Sequence, residues 1–229
     1  MQMIGVFDSG AGGLAALSEI RRRNPFVDIC FFADYGNAPY GTKKRGELIN
    51  LVSRDISRLR DAGADRILMA CCTASTVYKY LPRQLRDLAL PIIDVTAREA
   101  ALATKCGRVG VIGTNATVSS GAFKRALYLH KEVKSVWELA TQNLVSAVES
   151  GICDGTITEN LREGLFRTLL PLRQKAIDTL ILGCTHFARL EREISGVLPG
   201  VSIINSSREG AKEILKYCAP KGCGKTLYL

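Results

Sequence analysis

The chain of 229 residues is 47% hydrophobic with one Trp, enough for one large core or two smaller ones, and no stretch approaches the ~20 apolar residues of a membrane span. Its first residues, Met1-Gln2-Met3-Ile4-Gly5, have neither the basic start nor the apolar core of a secretory signal, so a cytoplasmic protein with no membrane partner is expected. The net charge of +9 is dispersed, and its densest clusters, Arg21-Arg22-Arg23 and Lys43-Lys44-Arg45, lack interleaved aromatics. That argues against nucleic acid and leaves a field that draws in a small anion. In chain order, short apolar runs predict strands over residues 3–7, 29–32, 66–69, 91–95, 108–112, 179–182 and 201–204. Helical spacing of apolar residues marks 45–62, 121–130, 160–176 and 207–217 between and after them. Strand and helix in alternation give an α/β fold with mostly parallel sheets flanked by helices.

An internal repeat refines this reading. I-G-V-F-D-S at Ile4 to Ser9 returns in outline as V-G-V-I-G-T at Val109 to Thr114, and D-R-I-L-M-A-C at Asp65 to Cys71 returns as D-T-L-I-L-G-C at Asp178 to Cys184. Two similar lobes related by a pseudo-twofold, with the active site in the cleft between them, account for both matches. In parallel sheets ligands sit beyond the carboxyl ends of the strands, where Asp8, Ser9, Cys71, Thr114 and Cys184 all fall.

The eight cysteines form no C-x-x-C pair, and His130 and His186 are far apart, so no metal site is expected. In a reducing compartment most of these thiols are buried fillers. Cys71 and Cys184 differ, because the repeat places them at equivalent strand ends facing one cleft. Each would stand near the positive end of a helix, which favours the thiolate. A carbon acid held between a thiolate and a thiol loses a proton on one face and gains one on the other, inverting its centre without metal or organic cofactor.

D-S-G-A-G-G-L at Asp8 to Leu14, A-P-Y-G-T at Ala38 to Thr42, A-C-C-T-A-S at Ala70 to Ser75, V-G-V-I-G-T-N-A-T at Val109 to Thr117, V-E-S-G at Val148 to Gly151 and L-G-C-T-H-F at Leu182 to Phe187 resemble the glutamate racemases of the aspartate/glutamate racemase superfamily. The resemblance implies that Cys71 takes the proton from the D-enantiomer and Cys184 from the L-enantiomer. It gives Asp8 a supporting role to Cys71, and His186 and Glu149 the same to Cys184. Ser9, Tyr40, Gly41, Thr42, Cys72, Thr73, Thr114, Thr117 and Thr185, with Asp8 and His186, would bind the substrate, a small acidic amino acid. Residues 1–96 with 206–229 would form the first lobe and 97–205 the second. No cofactor is implied, a homodimer is compatible with it, and the purpose would be D-glutamate for peptidoglycan precursors.

The chain departs from that pattern at several places: Cys72 stands for asparagine, Thr141-Gln142 for Cys-Pro, Phe187-Ala188-Arg189 for Tyr-Pro-Leu, and Asp94 for a glycine near the expected cleft. A thiol offers only weak versions of an amide's donor and acceptor, so Cys72 is a substitute contact, a marker of altered substrate choice, or a sign of weak activity. A relative acting on aspartate or another carbon acid is the alternative within the same class. A second is a nucleotide-binding or catalytically silent regulatory module, because G-A-G-G-L-A at Gly10 to Ala15 follows a strand as a dinucleotide fingerprint does, with Asp34 where a ribose-binding acid would fall. A-P-K-G-C-G-K-T at Ala219 to Thr226 imitates a phosphate loop but lacks room for the helix such a loop needs, and reads as a mobile basic tail.

Overall fold

Buried apolar strands flanked on both sides by amphipathic helices require all-parallel pairing, because each strand must return over the face of its own sheet. The computed structural model, which describes residues 3–149, 159–218 and 222–229 apart from the side chains of 149 and 159–161, has this construction. Strands β1 (Met3–Asp8), β2 (Asp28–Ala33), β3 (Arg66–Met69) and β4 (Ala89–Pro91) lie in one sheet. Strands β5 (Arg108–Gly113), β6 (Ser135–Ala140), β7 (Thr179–Gly183) and β8 (Ser202–Asn205) form a second, and β9 (Thr226–Tyr228) returns to the first. The orders are β4-β3-β1-β2-β9 and β6-β5-β7-β8, with every pairing parallel. Read from its other edge, the second sheet is β8-β7-β5-β6, which matches β4-β3-β1-β2 position for position. The sequence repeat is therefore an architectural one: β1 corresponds to β5, and β3 to β7.

Each central strand feeds two cores. Ile4 and Val6 of β1 point to the cluster containing Ile20, Ile29 and Ile214, while Phe7 points to the opposite cluster with Tyr40, Val52, Ile56 and Leu59. The helix Arg45–Asp61 supplies the latter because Leu48, Val52, Ile56 and Leu59 recur at helical spacing on one face. The second sheet is likewise sandwiched between a cluster around Leu165, Leu169 and Phe187 and another around Ile92, Ala97 and Phe123.

Two helices carry the chain between sheets. Ile92–Ala103 joins β4 to β5, Ser206–Ile214 leads from β8 back toward β9, and they are tied by Arg98 to Glu213 at 2.6 Å. The strand expected at 91–95 is thus a correction: Ile92 to Val95 open a helix after Pro91. Nearly all sides of that helix are buried, Ile92, Ile93, Val95, Ala97, Ala100 and Ala101 included, so its apolar residues show no stripe. Asp94 does not approach the cleft. It lines a separate hollow with Tyr78, Lys79 and Arg125.

For residues 222–229 the expected mobile tail is a second correction, while 219–221 lie outside the described residues. β9 pairs in parallel with β2, Asp28 Oδ1 accepts from the amides of Cys223 (3.1 Å) and Lys225 (2.9 Å), and Arg21 donates to the Lys225 carbonyl and the Thr226 hydroxyl, each at 2.6 Å. Among the described residues no helix is long and apolar enough to cross a membrane.

Candidate active site

Short polar segments following buried strands put their side chains at the carboxyl edge of a sheet, and here both edges meet. Cys71 comes two residues after β3, Cys184 directly after β7, Asp8 ends β1 and Thr114 follows β5. One cleft is lined by Ser9, Gly10, the 38–41 turn, Cys71, Cys72, Thr73, Thr114, Gln142, Val145, Cys184, Thr185 and His186. Its volume is about 410 Å³ including the open mouth, but the interior space open to a water molecule is about 20 Å³, room for about one. The lobes stand closed, and an amino acid needs them to part.

Around Cys71, the Ser9 hydroxyl lies 3.3 Å from the sulfur and the Ala74 amide donates to it at 3.5 Å. Burial, and after it the Asp8 charge, push this thiol up to about 11. Cys184 Sγ lies 3.5 Å from His186 Nδ1, and burial raises its thiol as well, although the His186 amide pulls the other way. This corrects the expectation of thiolates at helix ends. The helix after Cys71 has four residues and Cys184 precedes a 3-10 segment, so neither terminus carries much dipole, and desolvation in a closed cleft wins.

Asp8 is completely buried below the cleft wall. Its Oδ1 accepts from the Gly10 amide at 2.9 Å, and its Oδ2 accepts from the Thr185 hydroxyl of the opposite lobe at 3.2 Å. Desolvation outweighs these donors and lifts its carboxyl to about 7. Because the folded value lies above the unfolded 3.8, the stability tied to this group is complete below about pH 4 and is lost as pH rises through about 7, by about 4 kcal/mol. Asp8→Asn removes the titration. Its thermal midpoint is expected to exceed the parent's by several degrees at pH 8, with the gap closing toward pH 4; a gap independent of pH contradicts the assignment.

Tyr40, expected among the substrate-binding residues, is in the cleft lining. Its ring packs on Phe7, and its hydroxyl lies 2.7 Å from Asp34 Oδ2 and 2.6 Å from Asp55 Oδ2, away from the cleft. Burial raises the Asp55 carboxyl, whereas Asn37, Tyr40 and Arg54 overcome burial and hold Asp34 low. Gly41, which has no side chain, can present only backbone to the cleft, and the Tyr40 hydroxyl is committed to the two carboxyls. Thr42 is exposed and donates to the Pro39 carbonyl at 3.2 Å, outside the lining.

Thr73, Thr114 and Thr117 form a hydroxyl triangle across the lobes, with Thr73 to Thr114 and Thr114 to Thr117 at 2.9 Å and Thr73 to Thr117 at 3.1 Å. Cys72 lines the cleft, but its thiol donates to the Ser206 hydroxyl at 3.5 Å. The Glu149 side chain lies outside the described residues. Gln142 and Val145 also line the cleft, and neither stands in a motif that marks it as a site residue; the one signal in the sequence is that Gln142 belongs to a departure from the family pattern.

The glycine-rich turn is packed closely on its inner side. A Cβ on Gly12 would stand 2.1 Å from Thr185 Oγ1 of the second lobe, and one on Gly13 2.4 Å from Asp8 Cβ of its own lobe, so Gly12 lets the second lobe approach and Gly13 lets the turn pack on β1. Asp34 is engaged by Tyr40, Asn37 and Arg54.

Comparison with known proteins agrees with this geometry. The chain is 36% identical to a glutamate racemase of Aquifex aeolicus, over 96% of this chain and 85% of that protein. It is 35% identical to one of Thermus thermophilus, over 99% and 86%. Among solved structures, glutamate racemase isoform RacE1 from Bacillus anthracis superposes with a TM-score of 0.88 at 33% identity, covering 99% of this chain and 86% of that one. A glutamate racemase from Francisella tularensis in complex with D-glutamate gives 0.85 at 28%, with the same coverage. An aspartate racemase from Picrophilus torridus, at 0.67 and 21%, shares the fold. Residues 38–214 match the family model described as Asp/Glu/Hydantoin racemase, a span holding Cys71, Cys184 and most of the cleft between them, and the chain belongs to that family.

Proposed function

We propose that the protein interconverts L- and D-glutamate by two-base proton transfer, supplying D-glutamate for peptidoglycan precursors. The observation that carries this reading is that Cys71 and Cys184, at equivalent ends of β3 and β7, line one cleft from opposite lobes. With the α-carbon between the sulfurs, one cysteine as thiolate takes the α-proton while the other, as thiol, gives its proton to the opposite face. Cys71 acts on the D-enantiomer and Cys184 on the L-enantiomer, and the two thiols exchange protonation states in each turnover.

Burial keeps both sulfurs protonated in the closed cleft, so a base must form as substrate binds. Next to burial, the Asp8 charge does most to hold Cys71 as a thiol. An Asp8 that titrates at about 7 removes that charge when it takes up a proton, and the Ser9 hydroxyl then steadies the thiolate. His186 serves Cys184 in the same sense, since an imidazolium 3.5 Å from the sulfur stabilises the anion. The carbanion-like transition state needs oriented donors in a dry site, a part we assign to the backbone amides at the strand ends.

The test is α-hydrogen exchange in deuterated water, followed by NMR with both enantiomers of glutamate and of aspartate. Exchange of glutamate, fastest of the two amino acids, is the expected result. Exchange confined to aspartate would make the protein a relative of different specificity, and no exchange of either would overturn the proposal.

A further inference from the structure

A dicarboxylic amino acid brings two anionic groups, yet among the described residues lining the cleft there is no Arg or Lys. The carboxylates are therefore held by neutral donors, and most of these are already committed. Thr185 donates to Asp8, Cys72 to Ser206, and Thr73, Thr114 and Thr117 bond to one another. The one side-chain amide in the lining is Gln142, at the start of the helix Gln142–Glu149 in the second lobe. Its Oε1 is fully sequestered from solvent and has no hydrogen-bond partner among the described residues. A buried amide oxygen without a partner is a costly arrangement that folding alone does not explain. The amide lies against the first-lobe turn across the cleft, where a Cβ on Gly41 would stand 2.7 Å from Oε1.

We infer that Gln142 is a specificity-determining residue that reads the distal carboxylate of the substrate, an inference that rests on the glutamate racemase reading. A half-turn about its last side-chain torsion exchanges Oε1 for Nε2 in the same place and aims an N–H donor into the cleft. Val145, one helical turn further and on the same lining, offers an apolar wall to the methylenes between the reacting carbon and that carboxylate. An amide at a fixed height beyond an apolar wall measures side-chain length, and it favours glutamate over aspartate.

Kinetics of the full chain with glutamate, aspartate and glutamine test this, using Gln142→Ala and Gln142→Glu with thermal melting as a folding control. Gln142→Ala is expected to raise KM for both glutamate enantiomers about tenfold while kcat stays within threefold. Gln142→Glu sets a carboxylate against the substrate's own, so KM for glutamate rises further and the ratio of glutamine to glutamate exchange increases at least tenfold. That ratio does not move if Gln142 merely supports the fold or faces the α-carboxylate, which all three substrates share. Unchanged KM in both variants, or equal losses on glutamate and glutamine, overturns the inference while the parent still racemises glutamate. A parent that exchanges no glutamate overturns the functional reading itself.

Discussion

Cys71→Ala is expected to stop interconversion of the glutamate enantiomers, with a loss of roughly 10²–10⁴-fold, the usual worth of one positioned acid or base. The variant should not be inert. Cys184 still faces the L-enantiomer, so the α-hydrogen of L-glutamate exchanges slowly with solvent deuterium and returns to the face it left, without inversion. D-Glutamate, whose α-hydrogen points at the missing sulfur, is silent. Cys184→Ala gives the mirror result. NMR reads the exchange and chiral chromatography the inversion, and the pair of single variants therefore reports on each face separately. Racemisation within tenfold of the parent in either variant sinks the two-base mechanism, while faster exchange of D- than of L-glutamate in Cys71→Ala reverses the assignment of faces.

Gly12→Ala is the other change with a large expected effect, although it adds a single methyl group. The new Cβ meets Thr185 Oγ1 at 2.1 Å, Thr185 Cβ at 2.8 Å and His186 Nδ1 at 3.1 Å. Thr185 cannot turn aside cheaply, because it is β-branched and its hydroxyl is bound to Asp8. The lobes must part or the segment carrying Cys184 must move, and a displacement near 1 Å costs about 100-fold in rate. Overpacking of this kind also removes about 1–3 kcal/mol of stability. The control is Gly46→Ala in the helix Arg45–Asp61, where the added Cβ meets nothing within 4 Å and better helix propensity raises stability slightly. Equal activity in the two variants would show that the glycine turn does not set the approach of the lobes.

These two changes touch what was most legible in the chain. β1, β3, β5 and β7 are fully or almost fully buried central strands, so their apolar runs stand out, and the chemistry follows them directly because strand ends face the ligand. β6 was missed for the opposite reason. S-V-W-E-L-A is a half-buried edge strand with a glutamate in it, and nothing in its composition separates it from a loop. β9 has three residues, two of them exposed, and its place depends on Asp28 and Arg21 far away in sequence. Within the site, residue types were readable but directions were not. Tyr40 lies in the cleft lining while its hydroxyl goes to Asp34 and Asp55, because buried carboxyl groups need a donor more than the cleft does. The state of the thiols was misread for a related reason, since closure of the lobes, which a linear pattern does not display, decides how dry the sulfurs are.

The pairing of β9 with β2 bears on how the molecule is made. β2 is buried throughout and would be a naked, apolar edge without its partner, the kind of edge that recruits other chains. During synthesis this edge exists long before β9 does, because the whole second sheet is translated in between. Wherever the first sheet assembles before β9 is made, β2 is a rim open to other chains, and Asp28, which fixes the incoming backbone through two amides, is the latch that closes it.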